Sequence, residues 1–83
     1  MWQLDRACER LNRITCKPLN RVEDDGKANI GHYYWQSHAG GFALCQVTRR
    51  DGAWSELLHA PTGERLYSLV YAFAKGVEAA RFH

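Results

Sequence analysis

The chain has 83 residues, of which 46% are hydrophobic and 12% aromatic, and eleven Lys and Arg against nine Asp and Glu leave a net charge of +2. That length is one domain, and the apolar content excludes the disordered class. The mild charge argues against the dominant basic stripe of a dedicated nucleic-acid binder, and excludes the acidic profile of a DNA mimic. No apolar run approaches the ~20 residues of a membrane span. The opening stretch MWQLDRACERLN carries charge every few residues, unlike a secretion signal. The expected location is the cytoplasm of the host cell. Three cysteines (Cys8, Cys16 and Cys45), an odd count, fit reduced thiols rather than a disulfide scaffold.

Residues 3–15 predict an amphipathic helix, because Leu4, Ala7, Cys8, Leu11 and Ile14 recur at three- and four-residue intervals. Arg6, Arg10, Arg13 and Lys17 fall on the opposite side of the helical wheel. Glu9 stands at the favourable i, i+4 distance from Arg13, and Pro18 ends the helix. The polar stretch 17–27 contains a turn at Asp25-Gly26, with a short edge strand allowed at Asn20–Glu23.

Two runs rich in β-branched and aromatic residues follow, 28–38 and 42–50. The break at Ala39-Gly40-Gly41 makes them a β-hairpin. A second turn at Asp51-Gly52 leads to a third strand over Ala53–His59. Thr62 then reads as an N-cap with Glu64 in the first turn. A last helix carries the stripe Leu66, Leu69, Val70, Phe73, Val77 and Ala80, flanked by Tyr67 and Tyr71. Gly76 inside that helix suggests a close-packing position. The expected fold is α+β, in the order α-β-β-β-α, with two helices packed on a three-stranded antiparallel meander. The whole chain, 1–83, is a single domain.

Metal and catalytic patterns are missing from the sequence. Zinc sites draw on closely spaced Cys and His pairs, whereas Cys8 and Cys16 are eight apart and His32 and His38 six apart. Cys45 could approach His32 or His38 across the hairpin, but a small three-stranded sheet offers little volume for a substrate. Glu23, Asp24 and Asp25 read as a solvated turn, and Gly40-Gly41 lacks the helix and lysine of a phosphate loop. No enzyme, no metal and no cofactor is expected.

Surfaces carry more information. With a hairpin loop at Ala39-Gly40, facing residues sum to 79. Period-two alternation then puts Tyr33, Trp35, Phe42 and Leu44 on one face and Ile30, Tyr34, Cys45 and Val47 on the other. Both faces are apolar. Helices on one face would leave the other bare, and a contiguous bare patch usually marks a partner site, unless the helices flank the sheet, a homodimer closes it or a bulge interrupts the alternation. Tyr33, Trp35 and Phe42 are the candidate partner-binding residues, with at least one expected to be well exposed. Arg6, Arg10, Arg13 and Lys17 are the candidate charged rim or phosphate contacts.

The α-β-β-β-α order resembles the double-stranded RNA-binding domain, a resemblance that implies a lysine cluster opening the last helix. Here Pro61-Thr62-Gly63-Glu64-Arg65-Leu66 has one base and one acid, so no residue carries over. The chain also resembles a group of small uncharacterised proteins of phages and mobile elements. That likeness runs through Leu11-Asn12-Arg13-Ile14-Thr15, Ala28-Asn29-Ile30-Gly31-His32-Tyr33, Ala39-Gly40-Gly41, Gly63-Glu64-Arg65-Leu66-Tyr67 and Ala72-Phe73. These are fold-building residues rather than a functional signature. The resemblance implies a phage or prophage inhibitor of the anti-CRISPR type, a non-enzymatic protein that blocks a bacterial host defence complex by occupying its surface. The alternative is a nucleic-acid-binding accessory protein using the basic face of the first helix.

Overall fold

The computed structural model describes residues 2–20, 22 and 25–81. The first helix, α1, spans Trp2–Ile14. Three strands follow, β1 at Tyr33–His38, β2 at Gly41–Val47 and β3 at Trp54–Ala60. The closing helix, α2, spans Gly63–Arg81. The sheet is an antiparallel meander in the order β1-β2-β3. The fold is therefore α+β in the expected order.

The hairpin register also follows the sequence. Tyr33 faces Gln46, Trp35 faces Leu44 and His38 faces Gly41, leaving Ala39-Gly40 as the loop. Gly41 sits at φ 134°, and a Cβ there would clash with the Ala60 carbonyl oxygen on β3. Only glycine satisfies both constraints.

Strand β1 begins later than expected, at Tyr33 rather than residue 28. Gly31, at φ 95°, turns the backbone out of the extended region. Partial pairing still ties the segment to β2, through Gly31 N donating to the Val47 carbonyl at 2.8 Å and Val47 N to the His32 carbonyl at 3.0 Å. Of the suggested edge strand at Asn20–Glu23, Val22 makes a single antiparallel bridge to Ala28. Arg21 and Glu23 lie outside the described residues, as does Asp24.

Both helices lie on one side of the sheet. Leu4, Ala7, Cys8 and Leu11 of α1 and Leu66, Val70 and Ala74 of α2 form one buried cluster with Tyr33, Leu44 and Ala60. Helix α1 ends in a Schellman motif: Lys17 N donates to the Asn12 carbonyl at 2.8 Å and Cys16 N to the Arg13 carbonyl at 3.2 Å. The left-handed residue of that motif is Cys16, at φ 58°, where glycine is usual. Helix α2 starts as read, with Arg65 N donating to the Thr62 hydroxyl at 3.1 Å. Gly76 is different: it is exposed, with nothing within 4 Å of a Cβ built there, so no close packing explains it.

These three positions should respond differently in urea or thermal unfolding. Gly41→Ala should destabilise by about 2 kcal/mol or more. Gly76→Ala should stabilise by roughly 0.5–1 kcal/mol, and Cys16→Gly by a similar amount, about 0.5–1 kcal/mol. A neutral Gly41→Ala would contradict the close approach of β3.

Candidate functional site

The sequence put Tyr33, Trp35 and Phe42 on one face, and they are on one face, but it is the face the helices cover. Tyr33 is only 8% exposed, and its ring meets Phe73 of α2 edge-on at 6.2 Å. Trp35 and Phe42 are half-buried, with ring centroids 6.1 Å apart. The Trp35 indole Nε1 donates to Asp5 Oδ1 of α1 at 2.7 Å. None of the three is well exposed, contrary to expectation, because both helices use these rings as their floor.

The other face carries Tyr34, Gln36 and His38 of β1 and Ala43, Cys45 and Val47 of β2. On β3 the alternation is interrupted. Leu44 faces Leu58, but the next residue, Cys45, faces Glu56, so the register slips by one residue at a β-bulge. Ala60 and Leu58 therefore join the helix side, while Glu56 and Trp54 are switched to the helix-free side with Cys45 and Val47. Strict period two would have placed Trp54 with Leu58. Trp54 is 46% exposed, and Leu57, the extra residue of the bulge, is 39% exposed.

The small side chains of β2 on this face are fully buried, closed over by larger neighbours from β1 and β3. Gln36 Nε2 donates to Cys45 Sγ at 3.4 Å. At one end the His38 and His59 rings stack at 5.2 Å, and His38 Nε2 lies 3.7 Å from Glu56 Oε1. Gly40 N donates to His38 Nδ1 at 3.3 Å, which places the ring proton on Nε2, toward Glu56. This side exposes Trp54 and Leu57 of β3 together with the hydrogen-bonding side chains of Gln36, His38, Glu56 and His59, while Tyr34 is half-buried and stacks on His32 at 6.1 Å. Ile30, expected on this face, belongs instead to the irregular segment before β1 and is exposed.

The basic row on α1 is largely engaged within the protein. Arg10 Nη2 donates to Glu78 Oε1 of α2 at 2.8 Å, and Arg13 Nη2 to Glu9 Oε1 at 2.8 Å. The hydrogen bond to Glu78 raises the Arg10 guanidinium above its ordinary value. Lys17 lies with its aliphatic chain against Gly31, since a Cβ at Gly31 would meet Lys17 Cδ at 2.9 Å. Arg6 lies beside Arg10 at the cleft between the helices.

A residue that the sequence reading left aside fixes the edge of the sheet. Asn12 is 1% exposed. Its Oδ1 accepts from Tyr33 N at 2.7 Å and its Nδ2 donates to the Tyr33 carbonyl at 3.0 Å, as a neighbouring strand would. The signal was present as the i, i+4 row Leu4, Cys8, Asn12, which aims a polar side chain along the buried stripe. Beside it, His32 Nδ1 lies 2.9 Å from the Pro18 carbonyl. That oxygen can only accept, so Nδ1 carries the proton and its 3.3 Å approach to Asn12 Nδ2 is not a hydrogen bond.

Cys8 and His32 both line an open groove of about 580 Å³ between α1 and β1. Burial pushes the Cys8 thiol up to about 12, with the Asp5 charge and Cys45 adding to the rise. Such a thiol is protonated at neutral pH and is no nucleophile. Cys45 is fully buried. Among the described residues, no group of three or more His, Cys, Asp or Glu could hold a metal ion, and no helix is long and apolar enough to cross a membrane. No known protein family, curated protein or solved structure matches the chain.

Two measurements probe this arrangement. Asn12→Ala leaves the Tyr33 amide and carbonyl without partners, so it should destabilise by about 2–4 kcal/mol. Asn12→Leu, which restores volume but not hydrogen bonds, should recover only part of that loss in urea unfolding. In the folded protein at pH 8, a thiol reagent such as DTNB should label one cysteine quickly. That cysteine is the exposed Cys16, with Cys8 and Cys45 reacting only on unfolding. Rapid labelling of Cys8 would contradict its burial.

Proposed function

We propose that the protein is a non-catalytic interaction module that binds another protein through the helix-free face of its sheet. The observation that carries this reading is the position of Trp54. A β-bulge turns this large aromatic residue away from the core, and it stays 46% exposed in a chain with little core to spare. Burying such a ring is worth about 2 kcal/mol, and Trp is among the residue types that most often anchor interfaces.

The chemistry of the face supports a protein partner. It exposes apolar Trp54 and Leu57 beside hydrogen-bonding side chains, a mixture common in protein interfaces. Its charged residue is Glu56, a poor match for a phosphate backbone. The internal pairing of Arg10 and Arg13 weakens the nucleic-acid alternative. The resemblance to small phage proteins makes a bacterial defence complex the first partner to test, with inhibition by surface occupation of the anti-CRISPR type. Tyr33, Trp35 and Phe42 then act beneath the sheet, as support for the binding face.

The test uses the defence complex retained by the tagged protein, purified and titrated against variants at low and high salt. Trp54→Ala should weaken binding by about 2 kcal/mol or more while circular dichroism stays unchanged. The Arg10→Ala/Arg13→Ala double variant should bind nearly normally at both salt concentrations. Normal binding by Trp54→Ala, with salt-sensitive failure of the arginine variant, would transfer the function to nucleic acid. A concentration-dependent dimer in sedimentation that Trp54→Ala abolishes would make a second copy the occupant of the face instead.

A further inference from the structure

The two edges of the sheet differ. On β3 the ladder is interrupted between Leu44 and Cys45, whereas β1 pairs with β2 without a break from Tyr33 to His38. We propose that the outer edge of β1 binds an extended segment of a partner protein as an added strand, with a lysine or arginine opposite Trp35.

The hairpin fixes which backbone groups are on offer. Across its two-residue loop His38 and Gly41 exchange hydrogen bonds, and antiparallel alternation repeats this exchange at Gln36 and Tyr34. The amides and carbonyls of Tyr33, Trp35 and Ser37 therefore point away from β2. Asn12 marks the same phase, since it meets both backbone groups of Tyr33 from outside the sheet. Among the described residues no strand lies beyond β1. Trp35 and Ser37 thus present two successive rungs, about 7 Å apart, and Asn12 stops an added strand before Tyr33.

The register selects the side chain. A residue directly opposite Trp35 points to the same face as Trp35, toward the groove that Trp35 lines with Asp5 between α1 and β1. There the exposed Asp5 carboxylate accepts the Trp35 indole N–H on Oδ1 at 2.7 Å. That bond leaves its charge in place, and among the described residues no Lys or Arg lines the groove. A lysine or arginine opposite Trp35 would meet this carboxylate and lie along the indole ring.

Charge also argues for a different chain as the occupant. None of the three strands contains Lys or Arg, so a second copy adding one of its own strands would leave Asp5 unmatched.

The experiment titrates the peptide acetyl-Val-Thr-Val-Lys-amide into the isotopically labelled full chain and follows backbone amides by NMR. Paired antiparallel, its lysine faces Trp35 and its threonine faces Ser37. Saturable shifts should appear at the Trp35 and Ser37 amides, in Trp54→Ala as in the unaltered chain. Methylating the lysine backbone nitrogen, which removes a rung, should weaken binding about five-fold or more. Methylating the nitrogen of the preceding valine, whose N–H points away from the sheet, should change little. Norleucine in place of lysine should bind about three-fold more weakly, and Asp5→Asn should erase that difference. The comparisons between peptides need no variant and stand even if a substitution unfolds the chain. Equal binding of the two methylated peptides, equal binding of the lysine and norleucine peptides, or no shifts at Trp35 and Ser37 would each overturn the proposal. So would concentration-dependent shifts at the same amides without peptide, which would make a second copy the occupant.

Discussion

The structure hangs on a side chain acting as a strand. Asn12 meets both backbone groups of Tyr33 with near-ideal distances, 2.7 and 3.0 Å. A three-stranded sheet has two edges, and the inner end of β1 would otherwise bury an amide and a carbonyl against a helix. Each such group left unmet costs on the order of 1–3 kcal/mol. By meeting them, Asn12 locks α1 to the sheet at one position and in one orientation. Cys8 and Leu4, one and two turns earlier, are then brought over Tyr33 and Leu44, and the buried cluster closes around them. The stretches around Asn12 and around His32-Tyr33 are distant in sequence and meet at this point.

A second constraint divides the sheet into two unlike faces. The helices sit on the large rings of Tyr33, Trp35 and Phe42, and β2 gives its small residues Ala43 and Cys45 to the opposite side. Without the bulge, β3 would add Trp54 to the covered face. The one-residue slip between Leu44 and Cys45 sends Trp54 and Glu56 the other way, and so exposes the indole on which the proposed binding role rests. The same slip interrupts the regular ladder of an edge strand, which resumes from Cys45 to Val47; such bulges are a common means of discouraging uncontrolled strand addition.

Electrostatics separates the two sides further. The sheet face has histidines and a glutamate around apolar groups, whereas the helix side gathers arginines whose charge is partly balanced by Glu9 and Glu78. Exposed ion pairs of this kind contribute little to stability, typically 0–1 kcal/mol. Their effect here is positional: the Glu78 pair holds Arg10 across the junction of the helices, above Tyr71 and beside the small cleft at Ala7 and Ala74.

Local chemistry in the sequence determined the elements and the hairpin. Helical and period-two spacing set the five elements and their order, Gly40-Gly41 set the loop and hence the register of β1 on β2, and Thr62 set the start of α2. These features depend on neighbours in the chain, so they are legible there. The covered face was not legible, because both faces of the hairpin are apolar, and which one receives the helices depends on how the two helices pack against each other. Nor was the bulge, a one-residue choice made between strands, although it decides where Trp54 points. Asn12 looked like an ordinary polar helix residue until Tyr33 was brought beside it, and the arginine row looked like one continuous charge until Glu78 arrived from the far end of the chain. Those pairings join residues 21 and 68 positions apart, and only the tertiary structure decides them.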